Sequence, residues 1–410
     1  NNSNSSERAI MDFLAVWSYK GMAPPASYEI LSSFFYLPTL AFKVKELVVG
    51  GILDVKDNAF RWVNNYFPKI IYEKISPSDR EVIHDSIIMT IKLDQNFFDF
   101  HRAFGSDFAL ALRHSLILSQ RLIHNYGKVN IATELIEHAK KIAPQSSIAL
   151  QIYIHSLLTE AYYLSGQHTA AEDSFKNAKK LLNFLTSGER TWEARLLLKI
   201  IPSYIKQKKH DETKKSIERA LSLERKNSAN YILIRNYKAY YLYENSFLAE
   251  AKQIYEDNKH LAALLPPKLR KKCDNTNQLS LVLRELGKYD EAQELFENKL
   301  GTANINIFGK MTTLVALTET LRLKKDYAQA QIKAKELLAT AKQSGSSKFI
   351  VYAHEVLANM LHDTDRFRES IGEAERALAT GACLGKDAEF NSLSTRMWIL
   401  MGHCHKELKA

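Results

Sequence analysis

The sequence predicts an all-α protein: a tandem array of about seven helical hairpins, preceded by a small domain of three helices and a β-hairpin. Three observations carry this. Glycine is 15 and proline 9 of 410 residues, below averages of about 7% and 5%, which argues against a turn-rich all-β chain. From residue 113 onward a small residue recurs at intervals near 40, with large apolar residues at fixed offsets. Before Pro77 the texture differs, because Pro24-Pro25, Pro38 and Gly50-Gly51 cut the chain into short segments.

Taken in order, residues 1–6 are an Asn/Ser linker expected to be disordered. Ser6 caps a helix to about Lys20, with Ile10, Phe13, Leu14 and Trp17 on one face. A second helix spans Tyr28 to Phe35, and a third spans Thr39 to Val49 and stops at the glycines. Ile52–Val55 and Ala59–Val63, around a turn at Lys56-Asp57-Asn58, alternate as a hairpin. Three helices and a hairpin in that order have the outline of a winged helix, assigned to residues 7–75. Residues 76–112 read as connecting helices that open on a capping box at Ser78-Asp79-Arg80-Glu81.

The array occupies residues 113–410. Its small positions are Ala132, Ala171, Thr213, Ala251, Ala292, Ala330 and Ser370, and nine residues before each stands Ile123, Tyr162, Tyr204, Leu242, Leu283, Leu321 or Leu361. Small residues let helix backbones approach, so each unit reads as a packed hairpin whose flank is buried by its neighbour. Gly127, Gly166 and Gly287 fall five before their small position, where the chain must reverse. The string Leu286-Gly287-Lys288-Tyr289-Asp290-Glu291-Ala292, with Phe296 following, resembles a tetratricopeptide repeat, as does Leu164 through Ala171, Phe175 and Ala178. Pro144, twelve after Ala132, sits where that family ends a repeat. The period near 40 implies longer helices than the family's usual 34-residue unit, and Pro202 is expected to kink a first helix. The resemblance implies a right-handed superhelix of about seven such hairpins.

A winged helix followed by long-period repeats resembles the C-terminal layout of STAND-type, NLR-like signalling ATPases. That resemblance implies the sensor module of a bacterial signalling or antiviral-defence ATPase, with an NTPase domain upstream in a longer parent chain. The opening without an initiator Met or signal-type segment is read the same way. Where that family's winged helix often carries a nucleotide-touching His, this chain has Asn64. Alternative readings are a transcription regulator whose winged helix binds DNA, and a tetratricopeptide assembly scaffold.

Chemistry-bearing motifs are missing. No G-x-x-x-x-G-K-[ST] loop exists; Gly309-Lys310-Met311 has the wrong residue after the Lys, and Asn304 stands where the first Gly is needed. His354-Glu355 has Ala358 at the second ligand position of a zinc motif. The expectation is no enzyme activity, no metal and no cofactor. The net charge of +10 fits an acidic partner. The basic stretches Lys206–His210 with Lys214-Lys215, and Lys268–Lys272, lack interleaved aromatics and read as solvated helix ends. The third helix, Thr39 to Val48, offers only Lys43 and Lys45 to a base edge, so nucleic acid is not the expected partner. Cys273, Cys383 and Cys404 form no C-x-x-C pair and no apolar run reaches 18 residues; the expectation is a cytoplasmic protein without a membrane segment.

The tetratricopeptide resemblance implies that the first helix of each hairpin lines the concave face. Aligning the small positions then turns inward Tyr153, Ser156, Glu160 and Tyr163, followed by Asn236, Tyr240 and Tyr243. Asn277 and Arg284, Glu319 and Arg322, and Glu355, Asn359 and His362 continue the row. Asn amides can hold a peptide backbone, Arg a carboxylate, and Tyr supplies contact area at low entropy cost. The expected partner is a protein or peptide with an acidic or carboxylate-bearing segment gripped by Arg284 and Arg322.

Overall fold

The structure is a computed structural model. It describes the chain except residues 1–4, 19–25, 36–39, 57–58, 65, 91–94, 127–128, 144–146, 186–188, 303–304, 345–346, 382–387 and 410. The Pro24-Pro25 turn, Pro38, the Asp57-Asn58 turn, Gly127, Pro144 and Cys383 therefore lie outside the described residues. The chain divides into two compact units, residues 1–123 with 128–146, and residues 124–127 with 147–410.

In the first unit α1 (Ser5–Trp17), α2 (Tyr28–Phe34) and α3 (Leu40–Val49) precede the hairpin β2 (Leu53–Lys56) and β3 (Ala59–Trp62). A two-residue strand β1 (Ala26–Ser27) pairs with β3, giving an antiparallel sheet of order β1-β3-β2. The hairpin register pairs Leu53 with Trp62 and Val55 with Phe60. Gly51, at φ 68°, turns the chain out of α3 into β2 in a conformation a β-carbon would strain. Ser27 caps α2 by accepting from the Ile30 N–H at 3.2 Å.

Helix α4 (Phe67–Lys74) was not foreseen; Pro68 stands in its first turn, where its missing N–H costs nothing. The same effect moves the next cap. Pro77 opens α5 (Pro77–Thr90), so Ser76, not Ser78, accepts from the Asp79 N–H at 3.1 Å and donates to the Asp79 carboxylate at 2.6 Å. Helices α6 (Gln95–Ala103), α7 (Phe108–Arg121), running into a π-helical turn at Leu122–Tyr126, and α8 (Val129–Ile142) complete the unit.

One core joins Phe13, Trp17, Leu31, Leu47, Leu53, Phe60 and Tyr72 to Ile87 of α5 and Phe97 of α6. Trp17 meets Phe97 edge-on, with ring centroids 4.8 Å apart. Beside it His84 and His101 are fully buried with their Nδ1 atoms 2.7 Å apart, and His84 Nε2 lies 3.4 Å from the Tyr72 hydroxyl. Only one proton fits between those two nitrogens. Burial holds both imidazoles below the ordinary His range, His101 at about 3.

The second unit is a superhelical stack of hairpins: α9 (Ile148–Leu164) with α10 (His168–Leu182), α11 (Glu189–Lys206) with α12 (His210–Leu223), and α13 (Ala229–Glu244) with α14 (Leu248–Ala263). After the short α15 (Pro267–Lys272) follow α16 (Thr276–Glu285) with α17 (Tyr289–Leu300), α18 (Ile307–Leu323) with α19 (Tyr327–Ser344), α20 (Ser347–Asp363) with α21 (Phe367–Gly381), and α22 (Ala388–Glu407). Helix α11 continues through buried Pro202. All seven small residues, from Ala132 of α8 to Ser370 of α21, have no exposed surface. Residues four further on, Ile136, Phe175, Ile217, Tyr255 and Phe296, are buried beside them.

The hairpin turns explain the nine-residue spacing. Five before the small position the backbone is left-handed, at Gly166 (φ 74°), Lys208 (56°), Ser246 (66°), Gly287 (75°), Lys325 (67°) and Asp365 (58°). The next N–H reaches five residues back to the recurring apolar residue: Gln167 to Tyr162 (2.8 Å), Lys209 to Tyr204 (3.0 Å), Phe247 to Leu242, Lys288 to Leu283, Asp326 to Leu321 and Arg366 to Leu361 (each 2.9 Å). The carbonyl of that same residue accepts from the small residue four further on, as Lys288 does from the Ala292 N–H at 3.1 Å. Two bonds through the backbone of one residue thus close the first helix in a Schellman turn and open the second.

Two expectations follow. Ala292→Leu overpacks a fully buried contact and should cost about 1–3 kcal/mol, whereas Lys325→Gly relieves a left-handed lysine and should gain up to about 1 kcal/mol. Urea unfolding checks both; a stabilised Ala292→Leu would refute the packing assignment and a destabilised Lys325→Gly the turn assignment. For the His84–His101 pair the folded state binds protons more weakly than the unfolded chain. Its contribution is complete above about pH 6.5 and lost as pH falls below it, at roughly 1.4 kcal/mol per pH unit for each ring that titrates. Protection factors of amides in α5 and α6, with the pH dependence of intrinsic exchange divided out, should fall on acidification, and His101→Phe should flatten that response.

Candidate ligand-binding face

The first helices α9, α11, α13, α16, α18 and α20 bury apolar stripes toward their neighbours and leave a half-buried row of aromatic and polar side chains. Asn236, Tyr240 and Tyr243 follow one another at helical i, i+4, i+7 spacing on α13. Every expected ligand residue, Tyr153, Tyr163, Asn236, Tyr240, Tyr243, Asn277, Arg284, Glu319, Arg322 and Asn359, is half-buried. Most are engaged within the chain, through polar rungs that join one first helix to the next.

Lys199 of α11 donates to Glu160 of α9 at 2.6 Å, and Lys206 of α11 to Glu244 of α13 at 3.1 Å. Between α13 and α16 the Asn236 Oδ1 accepts from Asn258 (2.7 Å) and from Asn275 (3.1 Å), while its own amide donates to the Cys273 carbonyl at 3.4 Å. Asn277 exchanges hydrogen bonds with the Thr313 hydroxyl of α18, at 3.1 and 3.2 Å. Arg322 is bidentate to Glu319 (2.7 and 3.0 Å) and reaches across to Asp363 of α20. Arg396 of α22 clasps buried Glu355 at 2.7–2.8 Å.

These contacts change how the row can act. Both carboxylates of its cluster satisfy Arg322, and the Glu319 hydrogen bond first among causes holds its guanidinium above the usual range. Arg284 donates to its own neighbour Glu285 at 2.8 Å. An incoming acid at either arginine must compete with a carboxylate already in place. The Asn359 amide makes no hydrogen bond with a described residue.

Tyrosines concentrate at the middle of the row. Tyr240 stacks on Tyr243, with centroids 6.4 Å apart and planes 20° from parallel, and Lys206 Nζ lies 5.3 Å from the Tyr240 ring. Burial, and then the nearby Glu244 carboxylate, raise the Tyr240 phenol well above its ordinary value. Tyr237, absent from the expected set, is raised by burial as well. Toward α9, Tyr153 meets Trp192 edge-on and Tyr163 meets His168, at 6.3 and 6.1 Å.

The partners Lys199, Glu244, Thr313, Asp363 and Arg396 were missed by sequence reasoning, and Lys206, read there as a solvated helix end, pairs with Glu244. Their signal was present as complementary residues one repeat apart, at separations of 39, 38, 36, 41 and 41. Among the described residues no group of three or more His, Cys, Asp and Glu side chains is placed to hold a metal ion, and no helix is long and apolar enough to cross a membrane.

No protein-family model matches the sequence, and no curated protein matches it. Solved structures do. A Rap protein complexed with competence and sporulation factor superposes at a TM-score of 0.50 and 13% identity, over 81% of this chain and 94% of that one. It shares the fold. A signal transduction ATPase with numerous domains and a tetratricopeptide repeat sensor, from Pyrococcus horikoshii, matches at 0.45 and 12% identity, over 97% of this chain and 63% of that one. NprR in complex with its cognate peptide NprX matches at 0.47 and 15%, over 79% and 93%.

The amide knot sets a stability test. Asn236→Ala strips the acceptor from Asn258, which is fully buried, and from Asn275, and should cost about 1–3 kcal/mol. Asn359→Ala should stay within about 0.5 kcal/mol of the parent. Thermal unfolding of the two variants separates them; equal melting temperatures would contradict the knot.

Proposed function

We propose that this chain is a recognition module that binds a protein or peptide segment along the first-helix row, centred on Tyr240, Tyr243 and Arg284. The observation that carries the reading is that row itself: half-buried tyrosines and amides running through successive hairpins, with the stacked Tyr240–Tyr243 pair at its middle. The Rap protein that shares the fold was solved with competence and sporulation factor bound, and a macromolecular ligand on the repeats is the corresponding expectation here. Because Arg284 and Arg322 are already charge-paired, an acidic ligand gains affinity only by exchanging with Glu285 or Asp363, which favours specificity over raw strength.

We further infer the setting: residues 7–75 act as a winged helix and 76–112 as a connector, in a cytoplasmic STAND-type sensor that controls an upstream NTPase domain in signalling or defence. The DNA-binding alternative has little to support it, since α3 carries Lys43 already engaged by Glu7 (3.0 Å) and Glu46 (2.8 Å).

Selection of a displayed random-peptide library on the immobilised chain tests the binding reading. Enriched peptides should lose about tenfold or more in affinity with Tyr240→Ala or Arg284→Ala, and be unaffected by Lys214→Ala on α12. Enrichment that fails, or that depends on Lys214 and not on the row, would overturn it.

A further inference from the structure

A second site, independent of the first-helix row, lies within the first unit. A cleft of about 450 Å³ opens between α4–α5 and α8, within the size range of small-molecule pockets. Its floor is aromatic: Tyr72, Phe104 and His138, the last two with rings 4.7 Å apart. The His138 Nε2–H donates to the Ala103 carbonyl at 3.1 Å, which fixes that ring and leaves Nδ1 as an acceptor. Arg80 lines the cleft with its guanidinium 4.8 Å above the Tyr72 ring, and its Nε–H is shut off from water with no hydrogen-bond acceptor among the described residues. A cationic donor so placed is costly unless something accepts from it. Arg80 forms no ion pair with a described residue, although Glu81, Glu134 and Glu137 share the cleft.

That combination selects a ligand. A simple anion would answer Arg80 and Lys141, which also lines the cleft, but face three carboxylates. A simple cation would suit the carboxylates but leave the Arg80 donor unanswered. An uncharged ring would use only the floor. We propose that the cleft binds a zwitterion with a flat apolar side chain, the chemistry of a free aromatic α-amino acid, with its carboxylate on Arg80, its ammonium toward Glu134 and Glu137, and its ring over Phe104 and His138. Because the walls come from α4, α5 and α8, such a ligand would tie the small domain to the first hairpin of the array.

Calorimetry on the full chain decides this with four probes: L-phenylalanine, N-acetyl-L-phenylalanine (carboxylate only), L-phenylalaninamide (ammonium only) and the dipeptide of two phenylalanines. Phenylalanine should bind, and each single-charge analogue should bind about tenfold or more weakly. Arg80→Gln and Glu137→Gln should each weaken phenylalanine by about tenfold or more, with unchanged circular dichroism, and Glu81→Gln on the exposed rim should weaken it less. Tighter binding of the dipeptide would move the site to a peptide and overturn the free-amino-acid assignment. Equal binding of either single-charge analogue, or no binding of phenylalanine at millimolar concentration, would overturn the proposal even if the Arg80 variant failed to fold.

Discussion

The backbone of one residue per hairpin governs this structure. The residue that follows each left-handed turn donates its N–H back to the closing helix and lends its carbonyl to the small residue of the opening helix. A first helix can end there only if the turn residue tolerates positive φ, and the second can pack closely only if its fourth position is small. Ala171, Thr213, Ala251, Ala292, Ala330 and Ser370 meet the second condition without any exposed surface. The fixed spacing then places each first helix alike, and the polar rungs from Lys199–Glu160 to Arg396–Glu355 become possible because equivalent side chains arrive one hairpin apart.

The repeat was legible because close packing leaves a compositional mark: only small residues fit, so period and phase appear directly in the sequence. The turns were legible only where glycine fills them, at Gly166 and Gly287. Lys208, Ser246, Lys325 and Asp365 adopt the same conformation without advertising it, since the two hydrogen bonds around the turn outweigh a left-handed cost of about 1–2 kcal/mol. In the first unit both surprises trace to prolines. Pro68 and Pro77 both stand in the first turn of a helix.

The first-helix row was legible as positions and not as partnerships. The residue count places Tyr240, Tyr243 and Asn236 on one stripe, since helical geometry alone settles that. It does not reveal that Arg284 turns to its own neighbour Glu285, or that Asp363 and Glu319 together saturate Arg322, because those choices depend on rotamers and on the angle between hairpins. The cleft beneath Arg80 was invisible for a related reason: its walls come from Tyr72, Phe104 and His138, far apart in the chain and joined by no motif.

If each hairpin is held by its own turn and its immediate neighbours, damage at one small position should remain local. Hydrogen exchange of Ala251→Leu against the parent chain measures this directly. The account predicts faster exchange in α13 and α14 and in the adjoining α11–α12 and α16–α17 pairs, with α20, α21 and α22 protected as before. Loss of protection spread evenly from α9 to α22, or no change around Ala251, would contradict it.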